Sequence, residues 1–348
     1  LRRNTVYIAM LTFTEKGIYL PAADVYIDPW QRVSRALITH AHSDHARPGM
    51  GRYVSTPETA LIMRQRLGDA SYGAIPYGEK WRVRGVAFSF HPAGHVLGSA
   101  QIRIEHRGRV AVVTGDYKLE NDGFSAPFES LACHEMVTES TFGLPAFHWL
   151  PQELVMRDVM AWWRENAAQG KASVLLVYAL GKAQRILKAL PEDLPGTLVG
   201  HGAICQLNEY LIKHGYNLPE VLPIQSVTRE DIRRSLILAP GSVLGSAWLQ
   251  RLGAHSTGYV SGWMALRGNK RRMAVDRGFV LSDHADWFGL HAAIEASGAE
   301  KVYVTHGFRE PLARWLTEIG REAIPVQTHF TGETVEKSDS DETTTDTQ

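Results

Sequence analysis

The chain has 348 residues, 44% of them hydrophobic and 21% charged, which suits a soluble globular protein too long for one small core. No apolar run approaches the roughly 18 residues needed to cross a bilayer, no signal peptide is evident, and two cysteines, Cys133 and Cys205, do not make a disulfide framework, so a reducing, cytoplasmic setting is expected. The formal net charge is zero, but residues 333–348 hold six acids and one lysine, which leaves a mildly basic body and a tail that reads as disordered. A basic body is compatible with a polyanionic substrate without establishing one.

The first 140 residues read as short strands. "DVYI", "ALIT", "KWRVRGVAFSFH", "SAQIRIEH" and "RVAVVTGD" are β-branched or alternating runs punctuated by Gly, Pro and Asp. A helix is predicted from Pro57 to Leu67, with proline in its first turn and Gly68 after its end. From Pro151 the texture changes. Helix "PQELVMRDVMAWWREN", strand "SVLLVY", helix "KAQRILKAL", strand "TLVG", helix "CQLNEYLIKHG" and strand "SLILAP" alternate as in a parallel α/β unit. Strand "GFVLSD", helix "WFGLHAAIEAS", strand "KVYVTHG" and helix "EPLARWLTEIG" follow. The expected organisation is a β-rich α/β domain formed by residues 1–144 and 269–332, an α/β unit inserted at 145–268, and the acidic tail at 333–348.

The stretch "THAHSDHARPG" places His40, His42, Asp44 and His45 directly after a predicted strand. In extended backbone, residues two apart point the same way, so the imidazoles of His40 and His42 can reach one ion. Asp44 and His45 continue the loop towards a second. One loop cannot close a two-metal site, and further candidates stand at other strand ends: His95 in "HPAGHVLGSAQI", Asp116 in "VAVVTGDY" and His306 in "KVYVTHG". Imidazole and carboxylate ligands suit zinc or manganese. His91 follows a strand and precedes Pro92, and it reads as a packing residue.

This pattern resembles the metallo-β-lactamase superfamily. Two more motifs narrow it. "TESTFG", with Glu139, and "LSDHADW", with His284, resemble motifs A and B of the β-CASP nucleases, and His306 in "THG" resembles motif C. That group includes the pre-mRNA 3′-end nuclease, ribonuclease J and the Artemis-type DNA repair nucleases. "YIDPW", "THAHSDHARPG", "HPAGHVLGSAQIR", "GDYKLE" and "TESTFGLP" are similar to the bacterial ligase-associated DNA exonucleases.

The resemblance implies an α/β fold, a metallo-β-lactamase αββα sandwich carrying an inserted β-CASP α/β cap. It implies two divalent ions, with zinc favoured by the ligand set and manganese an alternative for turnover. His40, His42 and His95 would hold one ion, Asp44, His45 and His306 the other, and Asp116 would bridge them. Such a pair activates water and clamps a phosphodiester. His284 would act as general acid, and Glu139 would fix its tautomer. The implied substrate is nucleic acid, DNA favoured over RNA, in repair alongside an ATP-dependent DNA ligase and a helicase.

Substrate contacts are harder to read. Gly181 and Lys182 open a predicted helix whose amides could cradle phosphate. Arg271 and Arg272 stand in the basic run "RGNKRRMAVDR", and Ser282 precedes His284 by two residues. Asp286 reads as a helix N-cap, and Trp162, Trp163 and both cysteines as core. An RNA-processing ribonuclease uses the same ligands. A small-molecule hydrolase is opposed by the inserted unit and by the Glu139/His284 pair, and a non-enzymatic scaffold by the full ligand set.

Overall fold

The computed structural model describes residues 10–328; the acidic tail lies outside them. Three sheets are present among the described residues. The first runs in the order Thr12–Thr14, Gly17–Leu20, Val25–Ile27, Ala36–Leu37, Tyr53–Ser55, Tyr72–Ala74. The second runs Glu322–Pro325, Lys301–Thr305, Glu135–Glu139, Arg109–Val113, Ala100–His106, Val86–Pro92, Trp81–Val83.

Alternation along the strands shows how these two sheets pack. Ala111 and Val113 join Ile18, Leu20, Ile27, Phe88 and Ile102 in one apolar core between the sheets. Val112, pointing the other way, joins Met136, Val302 and Val304 beneath the helices Trp287–Ser297 and Arg309–Glu318. The outer face of the first sheet is covered by the helix Pro57–Leu67 through Ile62 and Met63. Helix, sheet, sheet and helix therefore stack as an αββα sandwich. The helix Pro57–Leu67 keeps its predicted bounds: Thr56 caps it by accepting from the Thr59 amide at 3.3 Å, and Gly68 ends it at φ 71°.

The third sheet is parallel throughout, in the order Leu222–Pro223, Leu198–Gly200, Leu236–Ala239, Ala172–Leu176, His255–Val260, Arg277–Phe279. Both of its faces are covered, which accounts for the unbroken apolar text of its central strands. Val174 and Leu176 face one core, and Leu175 faces another that includes Trp162 and Trp163. The expected end of the insertion at residue 268 falls short of this sheet. The sequence places "GFVLSD" in the flanking domain, but Gly258–Val260 pairs with Arg277–Phe279, so this segment closes the edge of the third sheet. The strand His255–Val260 escaped the sequence reading because Gly258 and three polar residues interrupt its apolar pattern.

Three parallel strands of the second sheet bring their C-terminal ends to one edge. Val113 lies opposite Val137, and Glu139 opposite Thr305. The loops that follow therefore emerge side by side.

Candidate metal centre

Asp116, Glu139 and His306 stand at that edge, on or just after the ends of three neighbouring strands. His95 follows Val86–Pro92, which runs in the same direction two strands away. His40, His42, Asp44 and His45 arrive from the loop after Ala36–Leu37, and the Ala100 amide donates to the Thr39 carbonyl at 2.8 Å, joining the two sheets there. All seven expected ligands converge. The donor atoms of His40, His42, His95 and Asp116 lie within 4.8 Å of one another, as do those of Asp44, His45 and His306 and those of Asp116, Glu139 and His284.

The hydrogen bonds on the outer edges of the rings define what their inner edges offer. His95 Nδ1 donates to the Asp283 carbonyl at 2.7 Å, and His42 Nε2 donates to the Leu180 carbonyl at 3.1 Å. Thr39 Oγ1 donates to Asp28 at 2.6 Å and so accepts from His40 Nδ1 at 3.1 Å. In neutral rings these bonds assign the outer protons and leave lone pairs inside. His42 Nδ1 then lies 3.1 Å from both His40 Nε2 and His95 Nε2 with no proton between them. Three lone pairs facing one small space repel one another unless a cation sits among them. That is the donor set of a metal ion, with each ligand oriented from behind.

Electrostatics point the same way. Burial, reinforced by the neighbouring imidazoles, pushes His40 and His95 well below the usual histidine range, which favours the neutral, ligating form. Burial also lowers His306. At His45 burial is outweighed by Asp116, Asp44 and Asp28, which raise it well above the usual range. At Asp116 burial is likewise outweighed, and His45 at 3.3 Å holds the carboxyl well below its usual range. The opposed shifts favour a charged His45 beside a charged Asp116, and binding of a metal at His45 Nε2 would have to displace that proton. His45 Nε2, Asp116 Oδ1 and His306 Nδ1 are buried without a hydrogen-bond partner, so the residues present fit two divalent ions.

His284 is 5% exposed, and its Nδ1 donates to Glu139, whose oxygens lie at 2.9 and 3.0 Å. Its ring packs 4.7 Å from that of His95, centroid to centroid.

The expected substrate contacts fare differently. The Gly181 amide donates to the Gln184 side chain at 2.8 Å, so it is already committed within the turn. Gly181 has φ 92°, and a Cβ there would meet Val96 at 2.3 Å, which makes its role one of close packing beneath His42. Lys182 is 1% exposed and turns its ammonium to Asp283 at 3.7 Å. Ser282 is buried and accepts from the His284 amide at 3.1 Å, holding a turn. Arg271 and Arg272 are exposed on the short helix Asn269–Arg272. His91 stays apart from the metal cluster, between Ser89 and Glu129. Cys133 is buried and Cys205 half-buried.

Sequence reasoning missed Asp28, whose carboxylate takes the His45 Nδ1 proton at 2.8 Å and the Thr39 amide at 2.8 Å. The signal in the sequence is "YIDPW", a carboxylate at a strand end just before a proline; in the fold Asp28 adopts a left-handed φ of 43°.

No protein-family profile matches the chain. A protein of Opitutus terrae named "Probable DNA ligase" is 32% identical over 312 residues, covering 88% of this chain and 30% of that protein. "Endoribonuclease YSH1" of Eremothecium gossypii is 32% identical over 188 residues, 53% of this chain and 24% of its own length. This chain thus spans less than a third of either relative. A crystal structure of a protein of unknown function from Enterococcus faecalis V583 has the same fold, with a TM-score of 0.59, 14% identity, and coverage of 86% of this chain and 80% of that one. The chain belongs to the metallo-β-lactamase superfamily, in its β-CASP nuclease branch. Among the described residues no helix is long and apolar enough to cross a membrane.

Proposed function

We propose that this chain is a two-metal DNA exonuclease that hydrolyses phosphodiester bonds during repair, alongside an ATP-dependent ligase and a helicase. The observation that carries the hydrolytic reading is Asp116, one carboxylate that belongs both to the His40/His42/His95 cluster and to the Glu139/His284 cluster. His40, His42, His95, Asp44, His45, His306 and Asp116 would hold two divalent ions, which when bound would supply Lewis-acid activation of water and offset charge on the phosphodiester. The chain's own groups do the rest. Glu139 holds the Nδ1 proton of a His284 imidazolium, whose Nε2 gives its proton to the departing sugar oxygen as the old P–O bond breaks; water oxygen bonds to phosphorus and releases its own proton to the medium, so one proton is lost for one gained. The buried wall around Asp116 excludes bulk water.

The lean towards DNA rests on the relative named as a ligase, which aligns along most of this chain. An RNA-processing role is the second reading, favoured by the endoribonuclease relative. Telling the two apart depends on contacts to the 2′-hydroxyl. The test is digestion of matched single-stranded DNA and RNA oligonucleotides, labelled at the 5′ or 3′ end, with zinc and manganese supplied separately. Stepwise shortening of DNA with RNA intact supports the repair exonuclease and reports its polarity. Cleavage of RNA alone moves the protein to RNA processing.

A further inference from the structure

The inserted unit sends one fully buried guanidinium into the metal-bearing unit. Arg185, on the helix Lys182–Ala189, is 1% exposed. Its Nη1 donates to the Ser282 carbonyl at 2.6 Å and to Asp283 Oδ1 at 3.0 Å. Nη2 donates to Glu120 at 2.8 Å, and Nε donates to Gln152 at 2.6 Å. Every contact lies on a segment that leads to the site or enters the inserted unit. Glu120 follows Asp116 by one turn of loop, and Ser282 and Asp283 immediately precede His284.

Asp283 is the hinge of this arrangement. Its carboxylate is gripped by Arg185 and Lys182, while its main-chain carbonyl takes the Nδ1 proton of His95. That carbonyl is what presents the His95 Nε2 lone pair inward. A main-chain carbonyl on a connecting loop holds an imidazole only as firmly as the loop itself is held. A planar guanidinium spanning Ser282 O and Asp283 Oδ1 fixes both position and rotation of that peptide, which a lysine ammonium would not.

We propose that Arg185 and Asp283 are positioning residues through which the inserted α/β unit sets the geometry of His95 and His284, so that metal retention depends on a side chain of the cap. The inference rests on the metal-centre reading above. The cap is thereby a structural part of the centre as well as a cover over it. The charges around it are matched: Lys118 pairs with Asp122 at 2.6 Å beside the Arg185 and Lys182 contacts, leaving this cluster as a closed ion network and not an anion site.

The experiment compares wild type with Arg185→Lys, Asp283→Asn and a control in the cap core, Trp163→Phe. Zinc affinity is read by chelator competition and ligand geometry by the visible spectrum of the cobalt-substituted protein, with thermal unfolding and steady-state kinetics beside them. The expected result is zinc binding weakened about 10- to 100-fold in Arg185→Lys and Asp283→Asn. The cobalt spectrum changes, and kcat falls while KM stays within about twofold. Trp163→Phe lowers the melting temperature and leaves zinc affinity unchanged. If Arg185→Lys does not fold, Asp283→Asn, which keeps the main-chain carbonyl, is read by the same criteria. Unchanged zinc affinity and spectrum in the folded variants overturn the proposal, and so does a rise in KM alone. Wild-type protein that binds no metal overturns the metal-centre reading instead.

Discussion

Glu139 accepts the Nδ1 proton of His284 between its two carboxylate oxygens, at 2.9 and 3.0 Å, while its Oε1 also takes the Tyr117 amide at 2.8 Å. The amide anchors the carboxylate, and the carboxylate anchors the ring. The Glu139 carboxylate beside Nδ1 favours the imidazolium, and in that form Nε2 carries the proton that a general acid gives up.

His284→Ala therefore lowers kcat by about 10²- to 10⁴-fold, the range for loss of a general acid. Metal content stays near two ions per chain. Glu139→Gln gives a smaller loss, because the amide oxygen still accepts from Nδ1 without the charge. Elemental analysis beside single-turnover cleavage checks both. Cleavage at the wild-type rate by His284→Ala removes the general-acid assignment.

Asp116→Ala strips a ligand from both ions and loses metal and activity together. Asp28→Ala touches neither ion but frees the outer edge of His45, and metal affinity falls roughly 10- to 100-fold as expected for an outer partner of a ligating histidine. Titration with a competing chelator separates the two: Asp116→Ala fails to hold either ion, whereas Asp28→Ala weakens one binding step more than the other.

The site was more legible than the contacts that hold it. Seven candidate ligands stand out because histidines and aspartates at strand ends have no packing reason to cluster. Their partners carry no such mark. Asp283 acts through its main-chain carbonyl, which any residue could supply, and Arg185 looks like one more polar residue in "KAQRILKAL". Periodicity located many of the strands and helices, while their αββα stacking came from the family resemblance; Arg277–Phe279 was misassigned because pairing partners of a short strand are decided by the third sheet and not by local sequence. The helix start at Gly181 and Lys182 predicts amides that could cradle phosphate; in the fold the Gly181 amide meets Gln184 and the Lys182 ammonium faces Asp283.

Gly94→Ala tests the loop that carries His95. Gly94 has φ 76°, and a Cβ there would stand 2.1 Å from the Lys118 carbonyl oxygen. Positive φ and a backbone clash together cost about 3 kcal/mol or more. Urea unfolding of the metal-free proteins measures this directly. A variant as stable as wild type contradicts the close approach.

His291 supplies a pH test remote from the metals. Its ring lies between Trp287 and Trp315, with centroids at 4.1 and 3.9 Å, and burial pushes its pKa down to about 4. The unfolded chain, with an ordinary histidine, binds this proton first. The contribution is thus fully present above about pH 6.5 and is lost as the pH falls towards 4. His291→Phe keeps an aromatic ring between the two tryptophans and removes the titrating proton. Its urea midpoint should drop less than that of wild type between pH 7 and pH 4.5; equal drops in the two proteins refute the assignment.

The strand Glu135–Glu139 waits for its neighbour Lys301–Thr305 across the whole of the third sheet. On a ribosome the chain emerges from its N-terminus, so the segment with His40, His42, His45, His95 and Asp116 appears long before its sheet can close. The inserted unit, with its own two-sided core, can collapse in the interval, while one edge of the older sheet stays unpaired. His284 and His306 come last. An ion captured early by the first histidines would sit in a half-built cage, and the full centre can be assembled only when synthesis has passed residue 306. Order of translation thus becomes order of maturation, with metal loading as its closing step.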